Sequence, residues 1–500
     1  MKESYVELVN IRRMVFAEIA RIAYNDIDLN ELEKIPYKII PGEVAKYREN
    51  IFRERAIIEE RLRLTMGLDA RHLSEFTRVT DGIEEVNVDE MMFIPPLVNV
   101  ITFACEACPE RAFVVTDNCR KCLAHPCTYV CPVNAVSISK DRAIIDKEKC
   151  IKCGKCKEAC PYSAIVEYHR PCAQVCGVNA IESDELGRAK INEEKCVSCG
   201  RCITQCPFGA IADKSQIFQL IKALKSKDNV YAIIAPSFIG QFGVLASPMQ
   251  IFEGIKKLGF KDVVEVSLGA DITTLREARE FLEKVPNENP FMGTSCCNSW
   301  TMMVEKMFPE QYKYISDSAS PMVETAKYIK KKDPDAIITF IGPCISKKLE
   351  ALRDDVKDYV HFVITFEELM GMFVAKDIEL SEIEIDEEIQ YASSLGRGYA
   401  VAGGVAEAVK ETARLLEPSR EIKIESASNL HDCVKLMKLA KAGLKDGYLL
   451  EGMACPNGCI GGPGTLASYN RVKKAVAEFK KQSDYATPLE NEKISEDLKR

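Results

Sequence analysis

Cys150-Ile-Lys-Cys153-Gly-Lys-Cys156-Lys-Glu-Ala-Cys160-Pro161 and Cys196-Val-Ser-Cys199-Gly-Arg-Cys202-Ile-Thr-Gln-Cys206-Pro207 share one spacing, C-x2-C-x2-C-x3-C-P. In such a run three closely spaced thiolates wrap one iron–sulfur cube and the fourth reaches a neighbouring one. Zinc uses subsets of these ligands, but the proline after each fourth cysteine favours iron–sulfur. A longer repeat surrounds the two runs. PCTYVCPVNAV begins at Pro126 and PCAQVCGVNAI at Pro171; Cys131 precedes Cys150 by 19 positions, and Cys176 precedes Cys196 by 20. Each half closes on near-identical text, CPYSAI and CPFGAI. This self-similarity predicts two tandem modules.

The modules read as bacterial-type ferredoxin units. The first has eight thiols in line: Cys119, Cys122, Cys127, Cys131, Cys150, Cys153, Cys156 and Cys160. The second has six, Cys172, Cys176, Cys196, Cys199, Cys202 and Cys206, with Cys105 and Cys108 upstream as the missing pair. Sixteen thiols at four per cube predict about four accessory 4Fe–4S clusters. Two partitions satisfy the spacing. One joins Cys119, Cys122, Cys127 with Cys160; Cys150, Cys153, Cys156 with Cys131; Cys196, Cys199, Cys202 with Cys176; and Cys105, Cys108, Cys172 with Cys206. The other exchanges Cys160 and Cys206 between the two strict motifs. If Cys105 and Cys108 bind nothing, three clusters form.

Outside these modules the composition is ordinary. A hydrophobic fraction of 47% argues against disorder, and a net charge of −8 argues against a general nucleic-acid binder. The start MKESYVELVN has no apolar core of signal-peptide length, and no apolar run reaches membrane-span length. A cytoplasmic location is expected, where 22 cysteines serve metals better than disulfides. Residues 1–95 predict a helical region, with apolar periodicity over Val9–Ala23 and a second helix over Glu43–Leu64 started by Pro41-Gly42. It reads as a cap or docking platform. Ile94-Pro95-Pro96 marks the passage into an iron–sulfur domain over 96–215. From 216 to 480, strands at Val230–Ala235, Val263–Val266 and Ala336–Phe340 alternate with helices at Ile251–Leu258 and Leu275–Val285, an α/β pattern. Asp377–Gln390 reads as acidic and exposed, and 481–500 as a charged, fraying tail. The fold class is therefore multidomain, α+β and α/β.

Four further cysteines sit in three Gly/Pro-rich loops: Thr294-Ser-Cys296-Cys297-Asn298-Ser-Trp300, Gly342-Pro343-Cys344-Ile-Ser-Lys347-Lys348, and Glu451-Gly-Met453-Ala-Cys455-Pro-Asn457-Gly-Cys459-Ile-Gly-Gly462. A fourth loop, Ala235-Pro236-Ser237, ends the first strand. Cys297, Cys344, Cys455 and Cys459 suit one four-thiolate site assembled at strand ends. The loop glycines suit close approach of backbone to a bulky inorganic group. Cys433, in the helical text NLHDCVKLMKLA, reads as a core cysteine, and His431 as ordinary. Trp300 reads as packing behind the first loop.

These three loops, matched in order, resemble the signature motifs of the [FeFe] hydrogenases, in a divergent monomeric clostridial-type branch. The resemblance implies a two-lobed α/β catalytic domain over roughly 220–475. It implies an H-cluster, a 4Fe–4S cube bridged by a cysteine sulfur to a diiron centre carrying CO, cyanide and an azadithiolate. Carried over, the cube ligands are Cys297, Cys344, Cys455 and Cys459, with Cys459 the bridge. Cys296 exchanges a proton with the azadithiolate amine, Lys347 hydrogen-bonds a cyanide, Pro236 and Ser237 line the dithiolate, and Met453 packs beside the cluster. Cys296, Glu280, Ser316 and Glu277, in that order, form a proton route to solvent; its two carboxylates, Glu277 and Glu280, follow Gly269-Ala270-Asp271-x-Thr273. The chain departs from the family at Asn298 (usually proline), Gly342 (usually methionine), Asn457 (usually glycine) and Pro463 (within a usual glycine run).

The activity implied is reversible 2 H+ + 2 e− ⇌ H2, with electrons exchanged with ferredoxin or a similar soluble carrier and dedicated maturation enzymes supplying the diiron centre. No dinucleotide-binding fingerprint appears. Two other readings remain: a low-turnover H2 sensor, against which no added signalling domain is seen, and a non-catalytic iron–sulfur carrier or scaffold, against which Cys459, Cys296 and Lys347 are retained.

Overall fold

The computed structural model describes all residues except 1–5, 72, 73, 75, 87–93, 244, 386–390 and 495–500. Its largest core surrounds a four-stranded parallel sheet in the order Asp262–Glu265, Val230–Ile234, Ile337–Gly342, Phe362–Thr365. The inner strands read YAII and ITFIG because a parallel sheet covered on both faces buries every second and every first residue alike. A second parallel sheet runs Met292–Gly293, Tyr448–Met453, Lys423–Ser428. The two sheets are the two lobes of the expected α/β domain. Every loop singled out in the sequence starts where one of these strands ends. Ile234 leads to Pro236-Ser237 and Gly342 to Pro343-Cys344; Gly293 leads to Cys296-Cys297 and Met453 to Cys455.

Between the lobes runs one helix, Val266–Lys284. The sequence reading has a strand through Val266 and a helix only from Leu275. The helix begins a full two turns earlier because Gly269 allows close crossing over the helix Pro321–Lys330: a Cβ there would lie 2.1 Å from the Pro321 carbonyl oxygen. Its polar residues Ser267, Asp271, Thr273, Thr274 and Glu277 are all buried.

The N-terminal helix Val6–Asn25 packs on Phe366–Ala375, where Gly371 admits Phe16, and Arg12 pairs with Glu367 at 2.5 Å. The second expected helix is shorter than its sequence suggests. It covers Ile51–Thr65, capped by Asn50, whose side chain accepts the Arg53 N–H. Residues 43–50 form bends instead, because Glu54 turns back to accept the N–H groups of Lys46, Tyr47 and Arg48. The C-terminal stretch also differs from expectation. The last helix ends at Lys481, yet Asn491 and Ile494 are buried, and Asn491 donates to Asp271 at 2.8 Å. Of the acidic stretch 377–390, Leu380 and Ile383 are buried against Gly254, and 386–390 lie outside the described residues.

The two thiol-rich modules repeat each other. Each has a short helix (Pro126–Tyr129; Pro171–Gln174), a hairpin (Val136–Ile138 with Ala143–Ile145; Ile181–Ser183 with Ala189–Ile191) and a second short helix (Lys155–Ala159; Arg201–Gln205). Their order in the chain is nested. Val98–Val100 pairs antiparallel with Ile211–Asp213, closing the second module around the strand pair Arg111–Val115 and Ile165–His169, which closes the first. Cys105 and Cys108 follow the outer strand, which carries them to the second module.

Candidate metal centre and proton route

The nested strands bring the sixteen thiols into sets. Cys119, Cys122, Cys127 and Cys160 line one cavity of ≈ 20 Å³, and Cys105, Cys108, Cys172 and Cys206 line another of ≈ 10 Å³. Cys156 lies within electrostatic reach of Cys150 and Cys131, and Cys202 within reach of Cys199, Cys196 and Cys176. This grouping follows the first partition. The exchange of Cys160 and Cys206 is not what the fold builds, and Cys105 and Cys108 stand with two further thiols. Among the described residues, no three His, Cys, Asp or Glu side chains form a group that holds a single metal ion.

A fifth set comes from the three Gly/Pro-rich loops of the α/β domain. Burial raises the Cys455 thiol first, and Cys344, Cys297, Cys199 of the second module and Cys459 then act on it, in that order. Burial holds these thiols up, Cys344 to about 11 and Cys199 to about 12. Buried thiols that resist ionisation need a compensating cation before they can act as thiolates, which a metal cluster supplies. The surroundings fit a polar inorganic group as well. Ser237, fully buried after the first strand, has a hydroxyl with no partner among the described residues, as has Thr294. Pro236 and Met453 are buried beside these strand ends.

The loop glycines also meet other loops closely. A Cβ on Gly462 would lie 2.7 Å from the Pro343 carbonyl oxygen, and one on Gly458 2.5 Å from the Ala402 nitrogen. They let loop meet loop, drawing Cys455–Cys459 onto Cys344. The departures from the family have local causes too. Asn298 donates to the Ser346 hydroxyl (2.9 Å) and carbonyl (3.1 Å), tying the first loop to the second. The Phe340 ring occupies the space a side chain at Gly342 would need, 2.6 Å from its Cβ position. Asn457 takes the left-handed region, φ 66°, where asparagine is the residue tolerated after glycine. Pro463 packs against Gly200 of the second module.

Lys347 is buried; its ammonium donates to the Cys296 carbonyl (3.2 Å) and to Glu350 (2.5 Å). Glu350 was missed in the sequence, although its i,i+3 spacing from Lys347 is the available signal. Cys433 is fully buried, with its thiol directed at the Ala427 and Met453 carbonyls, as a core cysteine. His431 meets the Gln174 carbonyl at 3.1 Å, and Trp300 is buried with its indole N–H on the Thr294 carbonyl at 3.1 Å.

The carboxylates order themselves opposite to the sequence reading. Glu277, not Glu280, is the inner one. It is fully buried and accepts from the Ser295 N–H (2.7 Å) and hydroxyl (2.9 Å) on one oxygen, while the other has no partner among the described residues. Burial pushes its carboxyl up to about 7. Cys296, next in the chain to Ser295, is raised well above the ordinary thiol value by burial and then by the Glu277 charge. Glu280 lies outward, accepting from Ser316 (2.5 Å) and Lys284 (2.9 Å). The helix turns the two carboxylates to one face, and the packing depth of the lobes decides which is inside. A cavity of ≈ 340 Å³ touches Ser295, Asn298, Ser316 and Glu350, and reaches the exposed Asp317. Asp271 points elsewhere, to Ser393 (2.5 Å) and Asn491, with burial pushing it up to about 6.

Fold and site together define a cysteine-rich redox protein, a thiol-lined α/β domain joined to ferredoxin-like modules. Residues 228–463 match the family profile described as iron only hydrogenase large subunit, C-terminal domain. Residues 143–166 match a 4Fe-4S binding domain, and 166–217 the LdpA Fe-S cluster-binding domain. Iron hydrogenase 1 of Clostridium pasteurianum is 30% identical over 245 residues, covering 40% of this chain and 42% of that protein. The chain thus spans less than half of this curated relative. Cytosolic Fe-S cluster assembly factor NAR1 of Kluyveromyces lactis is 34% identical over 111 residues, 22% of this chain and 24% of that one. The structure of a cysteine-to-histidine variant of apo [FeFe]-hydrogenase HydA1 from Chlamydomonas reinhardtii aligns with 23% identity and a TM-score of 0.47, over 55% of this chain and 92% of that chain. No helix among the described residues is long and apolar enough to cross a membrane.

Proposed function

We propose that this protein catalyses reversible H2 oxidation and proton reduction, exchanging electrons with ferredoxin or a similar carrier through four accessory 4Fe–4S clusters. The observation that carries the reading is the convergence of Cys297, Cys344, Cys455 and Cys459 from separate strand ends, near the buried Glu277 carboxyl. In this reading those four thiolates would hold an H-cluster, with Pro236, Ser237, Met453 and Lys347 lining its site. When bound, that group supplies the H–H bond chemistry and the redox change.

The chain's own residues supply the rest. Lys347, paired with Glu350, keeps a positive charge beside the Cys296 carbonyl, where an anionic ligand gains most in a dry site. Cys296 exchanges the proton with the cluster side. Glu277 receives it, its value near neutrality letting it hold or release a proton at the operating pH. Ser316 and Glu280 pass it to Lys284 and solvent. The Cys199-bearing module, next to Cys455, delivers single electrons.

The similarity to NAR1 over 111 residues favours one second reading, an iron–sulfur scaffold without turnover. An infrared spectrum of the anaerobically matured protein separates the two. Iron-bound CO and cyanide bands, with H2-dependent dye reduction, are expected. Full cube iron without those bands, with maturation proven on a control protein, overturns the hydrogenase reading, and bands without turnover leave the sensor.

A further inference from the structure

Where the N-terminal helix, the second thiol module and the third Gly/Pro-rich loop meet, they enclose a cavity of ≈ 840 Å³. Its fourth wall is the first turn of the helix Tyr469–Lys481. The volume lies within the usual range for small-molecule sites, roughly 300–1,000 Å³. Its charge is one-sided: Arg13, Arg201 and Arg471 line it, and no aspartate or glutamate does. All three arginines are part-exposed rather than sealed in the wall. The guanidinium groups of Arg201 and Arg471 have no carboxylate or other partner among the described residues. Arg13 donates only to the Leu466 carbonyl, at 3.4 Å, and stands 3.8 Å from Glu367. That carboxylate is already held by Arg12 at 2.5 Å, which leaves the Arg13 charge largely uncompensated.

The backbone repeats the signal. The helix Tyr469–Lys481 starts with no side-chain cap and no acidic residue in its first turn, which carries Arg471 instead. A helix start favours negative charge, so an arginine there is unfavourable until an anion joins it. Gln205, 9% exposed, lines the same cavity with an amide that has no partner among the described residues. Asn10, Asn457 and Asn470 add further amides. Each offers both a donor and an acceptor, the pattern on the edge of a heterocyclic base. Arginines match phosphate oxygens, and Val6, Val9 and Ile460 give the wall an apolar part. A lone phosphate would leave most of this volume to water; a nucleotide uses all three kinds of wall. Two of the walls belong to cluster loops. Arg201 stands between Cys199 and Cys202, and its charge favours the Cys199 thiolate. Asn457 stands between Cys455 and Cys459.

We propose that this cavity binds a nucleoside di- or triphosphate as a regulatory ligand, its phosphates on the three arginines and the uncapped helix start, its base on the amides. Occupancy cancels the Arg201 charge beside Cys199 and makes the cluster held there harder to reduce. That consequence rests on the proposed reading of the second module's thiols as cluster ligands; the binding site does not.

The test is equilibrium dialysis of the full, cluster-loaded chain against radiolabelled ATP. Saturable binding of one nucleotide per chain is expected. Arg471→Gln should weaken it at least tenfold. So should Asn10→Glu, which sets a carboxylate at an exposed position of the wall, whereas Asn10→Gln should not; iron content should stay unchanged in all three. No saturable binding, or binding equal in Arg471→Gln, Asn10→Glu and the unaltered chain, overturns the site; the arginines would then only balance the charge of the clusters. Pyrophosphate that displaces labelled ATP as well as unlabelled ATP does overturns the nucleoside assignment. A potentiometric titration followed by electron paramagnetic resonance reads the second module: saturating ATP should lower the midpoint of one cluster. An unmoved midpoint overturns the regulatory role. If those thiols hold no iron, the cluster reading has failed, and dialysis alone decides the site.

Discussion

In the first thiol module Cys153 is exposed and lies between Lys152 and Lys155; in the second, the equivalent Cys199 is packed in an apolar cluster with Trp300 and Leu430 of the catalytic domain. The repeated motif builds the same loop twice, with Gly154 and Gly200 both left-handed at its centre. The surroundings then diverge. Residues 119–160 hold nine Lys/Arg against four Asp/Glu, whereas 172–206 hold four against five. Exposure and net charge tune the potential of a cluster and the choice of its partner. One motif therefore yields a basic, exposed loop and a buried one, and the sequence around the motif, not the motif itself, makes the difference.

The largest expected effect separates the two directly. Cys199→Ser should bring electron exchange with any outer reductant to background, while Cys153→Ser should lose one cluster's iron and keep most turnover with a small dye. Iron content and H2-dependent dye reduction check both; equal losses would break the inner–outer order. The proton route repeats the contrast, with Glu277 inside and Glu280 outside. Glu277→Gln should cost about 10²–10⁴-fold in turnover. In the wild type, H2 oxidation should rise with pH through about 7, as the buried carboxyl becomes an acceptor. The stability sign is opposite. Its folded value lies above the unfolded one, near 4.3, so the folded state loses stability as pH rises from there to about 7. Glu277→Gln should flatten that slope in chemical denaturation.

Substitutions at the paired glycines sharpen the packing side of the comparison. Both pay the left-handed penalty of about 1–2 kcal/mol on becoming alanine. Gly200→Ala should add about 1–3 kcal/mol of overpacking, since its Cβ would lie 2.6 Å from Ile345 and 2.8 Å from Pro463. Gly154→Ala meets only the Phe113 ring edge at 3.4 Å. Thermal unfolding should rank them in that order; equal losses would show that the inner contact contributes nothing. The smallest effect belongs to the basic face. Lys152→Glu with Lys155→Glu should slow reduction of an acidic carrier roughly tenfold at low salt, and the difference should vanish at high ionic strength. A salt-independent rate would remove charge from partner choice.

Much of this protein is legible in its cysteines. Ligand spacing is a local property, so the strict motifs, the sixteen-thiol count and the three catalytic loops can be read directly. The alternation of apolar strands and helices likewise marks the α/β domain, because period and burial are written residue by residue. Other features require the fold. The nesting of one module inside the other depends on pairing Val98–Val100 with Ile211–Asp213, more than a hundred residues apart, and that pairing carries Cys105 and Cys108 to Cys172 and Cys206. Helical spacing puts Glu277 and Glu280 on one face, but only the closure of the two lobes makes the first the buried carboxyl. Asn50 rather than Gly42 starts the second helix because Glu54 captures the preceding backbone, and the charged tail docks because Asp271 lies buried within reach of Asn491. Local chemistry is set by neighbours along the chain. Depth, partners and direction of transfer are set by contacts between segments far apart in it, and these form only when the whole chain packs.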